Sequence, residues 1–536
     1  MTALPPERDP VGNGAPAAFD GYAPEHDSYD ELFAGRGEPR AHARRLIDGI
    51  ESLGRERLVA AGDRRDAIFM QQGITFALVG EGGAARDRPF PLDLVPRVIP
   101  AEEWTAIERG LVQRIRALNA FCDDIYHRRE IVNAGLVPWS LIASRPAFAR
   151  AAYGITPPKN IYCHVSGCDL VRDADGTWKV LEDNVRTPSG VSYVLENRRA
   201  MRRLVPRLFL DHRVRRVDDY PALLLSALRS AAPEGGEYPT VVVWTPGTYN
   251  SAYFEHAYLA RQMGVELVEA SDLVVRDNVC YMATTSGPAR VHTIYRRIDD
   301  AFLDPLEFRE DSMLGIPGLM RAYRAGNVAI ANAVGTGVAD DKAVYPYVPE
   351  MIRFYLGEKP VLQNVATYHM SDPEQREWAL SRLDRLVVKP TAESGGSGVF
   401  IGPTADDEEI AAQAALVRSA PDMWIAQDVV RLSTVPTVQA DGTLEPRHVD
   451  LRPFAVFGDD VSVIPGGLTR VALPAGEMIV NSSRGGGSKD TWVLEGPATP
   501  TVRGAPEPLS PSPLPGLRTG GWVEQQKQQQ QHGGHD

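Results

Sequence analysis

Asp169, Glu182 and Asn184 are the first residues in this 536-residue chain whose types and spacing point to chemistry. Asp169 falls on one strand-like run, Asp173 to Gly176 has the composition of a tight turn, and Trp178 to Asn184 runs back as the second strand of a hairpin. Side chains alternate across a strand, so Glu182 and Asn184 share one face while Leu181 and Asp183 take the other. If the hairpin pairs in this way, Asp169 joins them from the neighbouring strand, and an oxygen-only cluster of that kind suits magnesium. The competing reading is a solvated acidic face. Lys389 is the second group. It follows the apolar run Leu386-Val387-Val388 and precedes Glu393-Ser394-Gly395-Gly396-Ser397-Gly398-Val399. A strand-borne ammonium with a glycine-rich loop offers one cation and several backbone N–H groups to phosphate oxygens, although the pattern is not a Walker motif. Further on stand Gln427 and Asp428 after Trp424-Ile425-Ala426, then Asp450-Leu451-Arg452, then a glycine cluster from Arg484 to Asp490 that reads as a lid or as a surface loop. No Ser-His-Asp or Cys-His arrangement supplies a nucleophile, so the chemistry must rest on charge and positioning.

Several elements must hold these groups. Trp104, Ile107, Leu111, Ile115, Leu118, Phe121 and Ile125 recur at steps of three and four after Pro100, which predicts an amphipathic helix over about 101 to 126 whose apolar face serves packing. Val241 to Trp244 reads as a buried strand and Pro246-Gly247 as a turn; a helix from about Ser251 to Met263 ends at Gly264, and a strand returns through Val265 to Val268. The helix then starts at the carboxyl end of a strand, where open α/β sheets place ligands, and this makes Tyr249, Asn250 and Ser251 candidate substrate contacts. An N-cap role for Asn250 or Ser251 explains the same residues. The run Tyr295-Arg296-Arg297 with Asp299 and Asp300 reads as a salt-bridged or solvated face.

Composition narrows the classes. The length calls for two to four packed units, and 43% hydrophobic with 24% charged residues is the balance of a globular protein. Against 57 basic residues stand 70 acidic ones, a net charge of −13 that disfavours wrapping a nucleic-acid backbone. Cys122, Cys163, Cys168 and Cys280 lack paired spacing, which argues against both a disulfide framework and a zinc site. No apolar run is long enough to span a bilayer and the N-terminus lacks a signal-peptide pattern, so a cytoplasmic location without membrane contact is expected. Residues 1–19 and 496–536 read as disordered tails.

Taken together, the strand ending in Lys389-Pro390 with its small-residue loop and the segment Asp169, Glu182-x-Asn184, Pro188-Ser189-Gly190 resemble the two halves of an ATP-grasp site. In ordinary members the lysine half comes first; here it follows the metal half by about 200 residues. With the runs at 181 to 198, 245 to 260, 293 to 306 and 335 to 350, this order resembles the circularly permuted type 2 ATP-grasp proteins, themselves similar to the synthetase domain of glutathionylspermidine synthase. The resemblance implies an α/β (α+β) fold of circularly permuted ATP-grasp type. Its expected parts are an N-terminal helical segment over 20–155, the metal-binding half over 156–214, an inserted Rossmann-like pre-ATP-grasp unit over 215–335 and the lysine half over 336–495.

It also implies that Asp169, Glu182 and Asn184 hold magnesium, that Lys389 and Lys342 reach the phosphates of ATP, and that Ser394, Gly395, Gly396, Ser397 and Gly398 close over them. Gln427 and Asp428 match the hinge beside adenine, and Asp450 is placed toward the ribose. Amide-forming members often carry an arginine two residues before the metal-binding aspartate, where this chain has Gly167; Arg172, Arg186, Arg452 and Arg470 are candidates to supply that charge. The implied activity is an ADP-producing carboxylate–amine ligase acting through an acyl phosphate on a small-molecule or peptide carboxylate and an amine. A kinase acting on a hydroxyl and a nucleotide-binding partner without turnover are the alternatives.

Overall fold

The computed structural model describes residues 17–79, 85–233, 238–391, 398–477, 480 and 486–496. The elements that carry the argument are, along the chain, strand β1 (Leu92–Ile99), helix α1 (Ala101–Ile125), the hairpin β2 (Val165–Arg172) and β3 (Trp178–Asn184), and helix α2 (Val191–Leu204). Then come β4 (Val241–Trp244), α3 (Tyr253–Met263), β5 (Glu266–Val268), β6 (Thr293–Arg296) and β7 (Ala329–Ala331), followed by β8 (Leu386–Pro390) and β9 (Trp424–Asp428), and finally β10 (Leu444–Arg452), β11 (Leu468–Val471) and β12 (Gly487–Val493). Three sheets organise them. The largest includes the run β3-β2-β10-β11-β12-β1, antiparallel except where β12 pairs with β1, and the short strand Gln363–Asn364 adds to β3 in parallel. A parallel sheet β7-β6-β4-β5 has α3 in its crossover from β4 to β5. A small antiparallel sheet pairs β8 with β9, flanked by Thr367–His369 and Phe400–Ile401.

Helix α1 follows its apolar periodicity: Trp104, Ile107, Leu111 and Ile115 pack on Cys168, Leu170, Trp178 and Val180 of the hairpin. Pro100 sits at its N-cap, where a missing N–H costs nothing. The parallel sheet is built from the expected β-α-β pattern, and Gly264 ends α3 at φ 67°, in the left-handed region that its lack of a Cβ permits. The segment over 20–155, expected to be helical, also contributes strands, at Phe33–Gly35, Glu38–Pro39, Thr75–Val79, Ala85–Pro89 and β1. Its strand β1, all of it buried, completes one side of the large sheet.

The hairpin contains a feature that alternation alone does not reveal. Asp169 pairs with Glu182 but Leu170 pairs with Val180, so Leu181 is an extra residue in β3. A bulge of this kind reverses the parity of the strand beyond it. Trp178 and Val180 therefore face α1, and so does Asp183, whose carboxylate takes a fork of two bonds from Arg114 at 2.6 and 2.7 Å. Glu182 and Asn184 emerge on the opposite face, level with Asp169 and Gly167.

Candidate functional site

That face opens into a cavity of about 790 Å³, lined by Glu182, Asn184, Arg186, Ser189, Gly190, Lys342, Thr391, Arg452 and Arg470, and also by Phe148, Arg150, Ser251, Asp299, Asp300, Glu307 and Phe308. Of the first set Glu182, Asn184, Arg452 and Arg470 stand on the large sheet; the second comes from the parallel-sheet unit and the segment before the hairpin. Lys342 lies 3.7 Å from the Glu182 carboxylate. Lys389, on β8, joins this field: burial lowers its ammonium to about 8, Glu182 and Asp169 oppose the shift, and Lys342 and Arg470 add to it. Lys342 and Glu182, from distant segments of the chain, thus meet at one cavity.

The expected metal set divides on inspection. Asp169 is 1% exposed, and both its oxygens are engaged: Arg452 donates to them at 2.5 and 2.7 Å and Arg470 at 2.6 Å. The two guanidinium groups hold its carboxyl well below the usual range despite burial. Glu182 and Asn184 differ. They line the cavity, and the buried amide nitrogen of Asn184 has no hydrogen-bond partner among the described residues. One carboxylate and one amide on a shared face fit magnesium, which takes few protein ligands and fills its octahedron with water and phosphate. No group of three or more His, Cys, Asp or Glu side chains among the described residues forms a ready metal cage.

The four candidate arginines occupy different places. Arg172 faces away from the cleft: it sits on the α1 side of the sheet, bonded to Glu31 at 2.8 Å and Glu103 at 2.9 Å. Arg186 bridges Asp299 at 2.8 Å and Asp340 at 3.1 Å, which ties the hairpin to the parallel-sheet unit. Arg470 is held between Asp169 and Asp450. Arg452 reaches over Gly167, where an added Cβ would stand only 3.3 Å from its Cδ, and lines the cavity. Glycine at 167 leaves the space that this arginine's stem crosses.

The remaining candidates scatter. Asp450 is buried on the same face as Asp169, and both its oxygens accept from Arg470. Gln427 is buried on β9, its amide donating to Thr367 at 3.0 Å and its oxygen without a partner, while Asp428 is exposed and accepts from Tyr368. Gly398 lies beside β8; Ser394, Gly395, Gly396 and Ser397 fall outside the described residues. Tyr249 is fully exposed, and Asn250 accepts from the Ala252 amide at 2.9 Å, the local turn role that competed with substrate contact. Of this trio only Ser251 lines the cavity. The wall residues Asp299 to Ala301 and Glu307 to Arg309 were not anticipated as site residues, and the charged run at 296–300 was the available signal.

The model for the circularly permuted ATP-grasp type 2 family matches residues 96–472. The chain belongs to that family. A protein of Mycobacterium tuberculosis is 54% identical over 492 residues, covering 90% of this chain and 88% of its own. A Frankia alni protein provisionally named glutamate–cysteine ligase 2-3 is 45% identical over 482 residues, 89% of this chain but 55% of its own, so this chain spans about half of that relative. Among solved structures, a glutathione synthetase-like effector from Globodera pallida aligns with a TM-score of 0.51 at 11% identity over 82% of this chain and 97% of its own, a likeness of fold. Membership brings the ATP-grasp ligase class with it. No helix among the described residues is long and apolar enough to cross a membrane.

Proposed function

We propose that the protein is an ATP- and magnesium-dependent carboxylate–amine ligase that forms an amide through an acyl phosphate. The observation that carries this reading is the convergence of Lys342, Glu182, Asn184 and Arg452 on one cavity, with Lys389 two residues before the lining residue Thr391 and within the electrostatic reach of Glu182 and Lys342. Glu182 and Asn184 would hold the metal, which supplies positive charge to the phosphates. Lys342 and Lys389 bind phosphate oxygens. A substrate carboxylate attacks the γ-phosphate in line, ADP leaves, and an amine then displaces phosphate from the acyl group to give the amide.

Among the four arginines, the geometry favours Arg452 as the donor to the oxyanion that forms when the amine attacks. Its guanidinium is preorganised by Asp169 and lines the cavity, as that of Arg470 does, but Arg470 is shared with Asp450 and Arg452 is not; an arginine so fixed needs no reorientation during reaction. The provisional name of the Frankia relative supports amino acids as substrates, with the reserve that the name covers a chain nearly twice as long.

The test is to incubate the purified protein with ATP, magnesium and a metabolite extract and to follow ADP release and mass changes. Equimolar ADP and a product lighter by one water than its two precursors is the expected result, and a stable phosphorylated product without amide would transfer the reading to a kinase. Lys389→Ala is expected to lose turnover about 100-fold or more while remaining folded, as removal of a preorganised charge does elsewhere; wild-type turnover in this variant would make Lys389 a surface lysine.

A further inference from the structure

The strongest charge arrangement outside the groups assigned above is centred on Glu255, in the first turn of α3 and 1% exposed. Its carboxylate accepts five hydrogen bonds. The backbone N–H of Gly190 donates at 2.8 Å, that of Ser192 at 3.0 Å, the hydroxyls of Ser189 and Ser192 at 2.9 and 3.0 Å, and Arg297 at 3.2 Å. Gly190 is the N-cap of α2, so a buried carboxylate from one helix fills the N-terminal donors of another, in whose positive field it sits. Arg297, itself buried, also donates to the Pro188 carbonyl at 2.8 Å. The pair therefore grips the whole turn from 187 to 192 from the side of the parallel-sheet unit.

This turn connects two parts of the cleft. It follows β3, which carries Glu182 and Asn184, and its Ser189 carbonyl accepts from Arg452 at 3.3 Å, while Pro188 packs over Gly167. We infer that Glu255 is a positioning residue: through Ser189 and the turn it fixes where Arg452 and the metal-binding strand stand relative to the wall that bears Asp299 and Glu307. The inference rests on the ligase reading for the meaning of Arg452, but the mechanical link exists without it. Displacement of a reacting group by about 1 Å costs on the order of 100-fold in rate, and a neutral amide at 255 would set an NH₂ against a ring of donors.

Glu255→Gln, with the milder Ser192→Ala beside it, separates positioning from mere structure. Hydrogen exchange of the peptide spanning 186–193 is expected to rise at least tenfold in Glu255→Gln, kcat for ATP consumption to fall about 10- to 100-fold, and KM for ATP to stay within about twofold. Ser192→Ala is expected to shift all three in the same order and less. Unchanged exchange, an unchanged kcat, or a kcat loss matched by an equal rise in KM for ATP in both variants would overturn the inference. Collapse of the fold in Glu255→Gln leaves Ser192→Ala to decide by the same criteria. Failure of the ligase reading shows elsewhere, as ATP consumption without an amide product.

Discussion

Two buried knots of arginine and carboxylate sit on opposite faces of the same sheet. On the α1 side, Arg172 and Arg97 close on Glu31, with Glu103 and the ring of Trp178 completing the shell. On the cleft side, Arg452 and Arg470 close on Asp169 and Asp450. Both bury charge and satisfy it with bidentate or shared contacts, and by pairing alone they are equivalent. The difference is what lies beyond the guanidinium: packed side chains in one case, an open cavity in the other. A buried ion pair is thus weak evidence of function until the space in front of it is known.

The largest effect that would break or sharpen this contrast is on turnover. Arg452→Ala is expected to lower kcat about 100- to 1,000-fold, the range for loss of one preorganised oxyanion donor, with ATP binding by calorimetry little changed. Arg172→Ala is expected to cost about 3 to 5 kcal/mol of stability, read as a lower denaturation midpoint, because Glu31 would keep only one of its two guanidinium partners, and to leave KM values intact. If Arg172→Ala damaged catalysis while keeping its melting temperature, the two faces would not divide as described. Next in size is the metal. Omitting magnesium is expected to weaken ATP binding about tenfold or more, and Glu182→Gln to reduce that difference; equal affinities with and without the metal would remove the role given to Glu182 and Asn184.

The pH response is smaller and has a definite sign. The Lys389 ammonium, lowered to about 8 by burial, is the form that binds phosphate, so ATP affinity is expected to fall as pH rises above 8, approaching tenfold per unit. Lys389→Arg, which stays charged, should flatten that slope between pH 8 and 9. The smallest effect expected is none: Tyr249→Ala should leave KM and kcat as they are, since the ring lies wholly in solvent.

What the sequence disclosed followed from periodicity. The helix over 101–125, the β-α-β unit with its Gly264 stop, and the strand carrying Lys389 are all local patterns, and local patterns are written in neighbouring residues. The family resemblance added the order of the two halves, which the family match bears out. Facing was harder. Glu182 and Asn184 share a face as alternation requires, yet which face depends on the bulge at Leu181, and no residue type announces that bulge. Arg172 carries the right chemistry and points the wrong way, into the α1 side, and Asp450 stands on the cleft side but is taken up by a partner arginine. Glu255 gave no signal because its five donors come from a turn more than sixty residues earlier and from Arg297, forty-two residues later. Contacts of that span are set by the packing of whole sheets.

The parallel pairing of β12 with β1 has a consequence for how the chain is made. Lys489 and Asp93, bonded to each other in the buried seam between these strands, are 396 residues apart. At ribosomal rates of about 5 to 20 residues per second, β1 waits on the order of 20 to 80 s with one edge bare before its neighbour is synthesised. Until then Asp93 has only the backbone N–H groups of Val95 and, later, Val438 as donors, and the ammonium that balances its charge is missing from the seam. The seam between β1 and β12 is therefore a junction that closes late in synthesis, once the strand bearing Lys489 has been made.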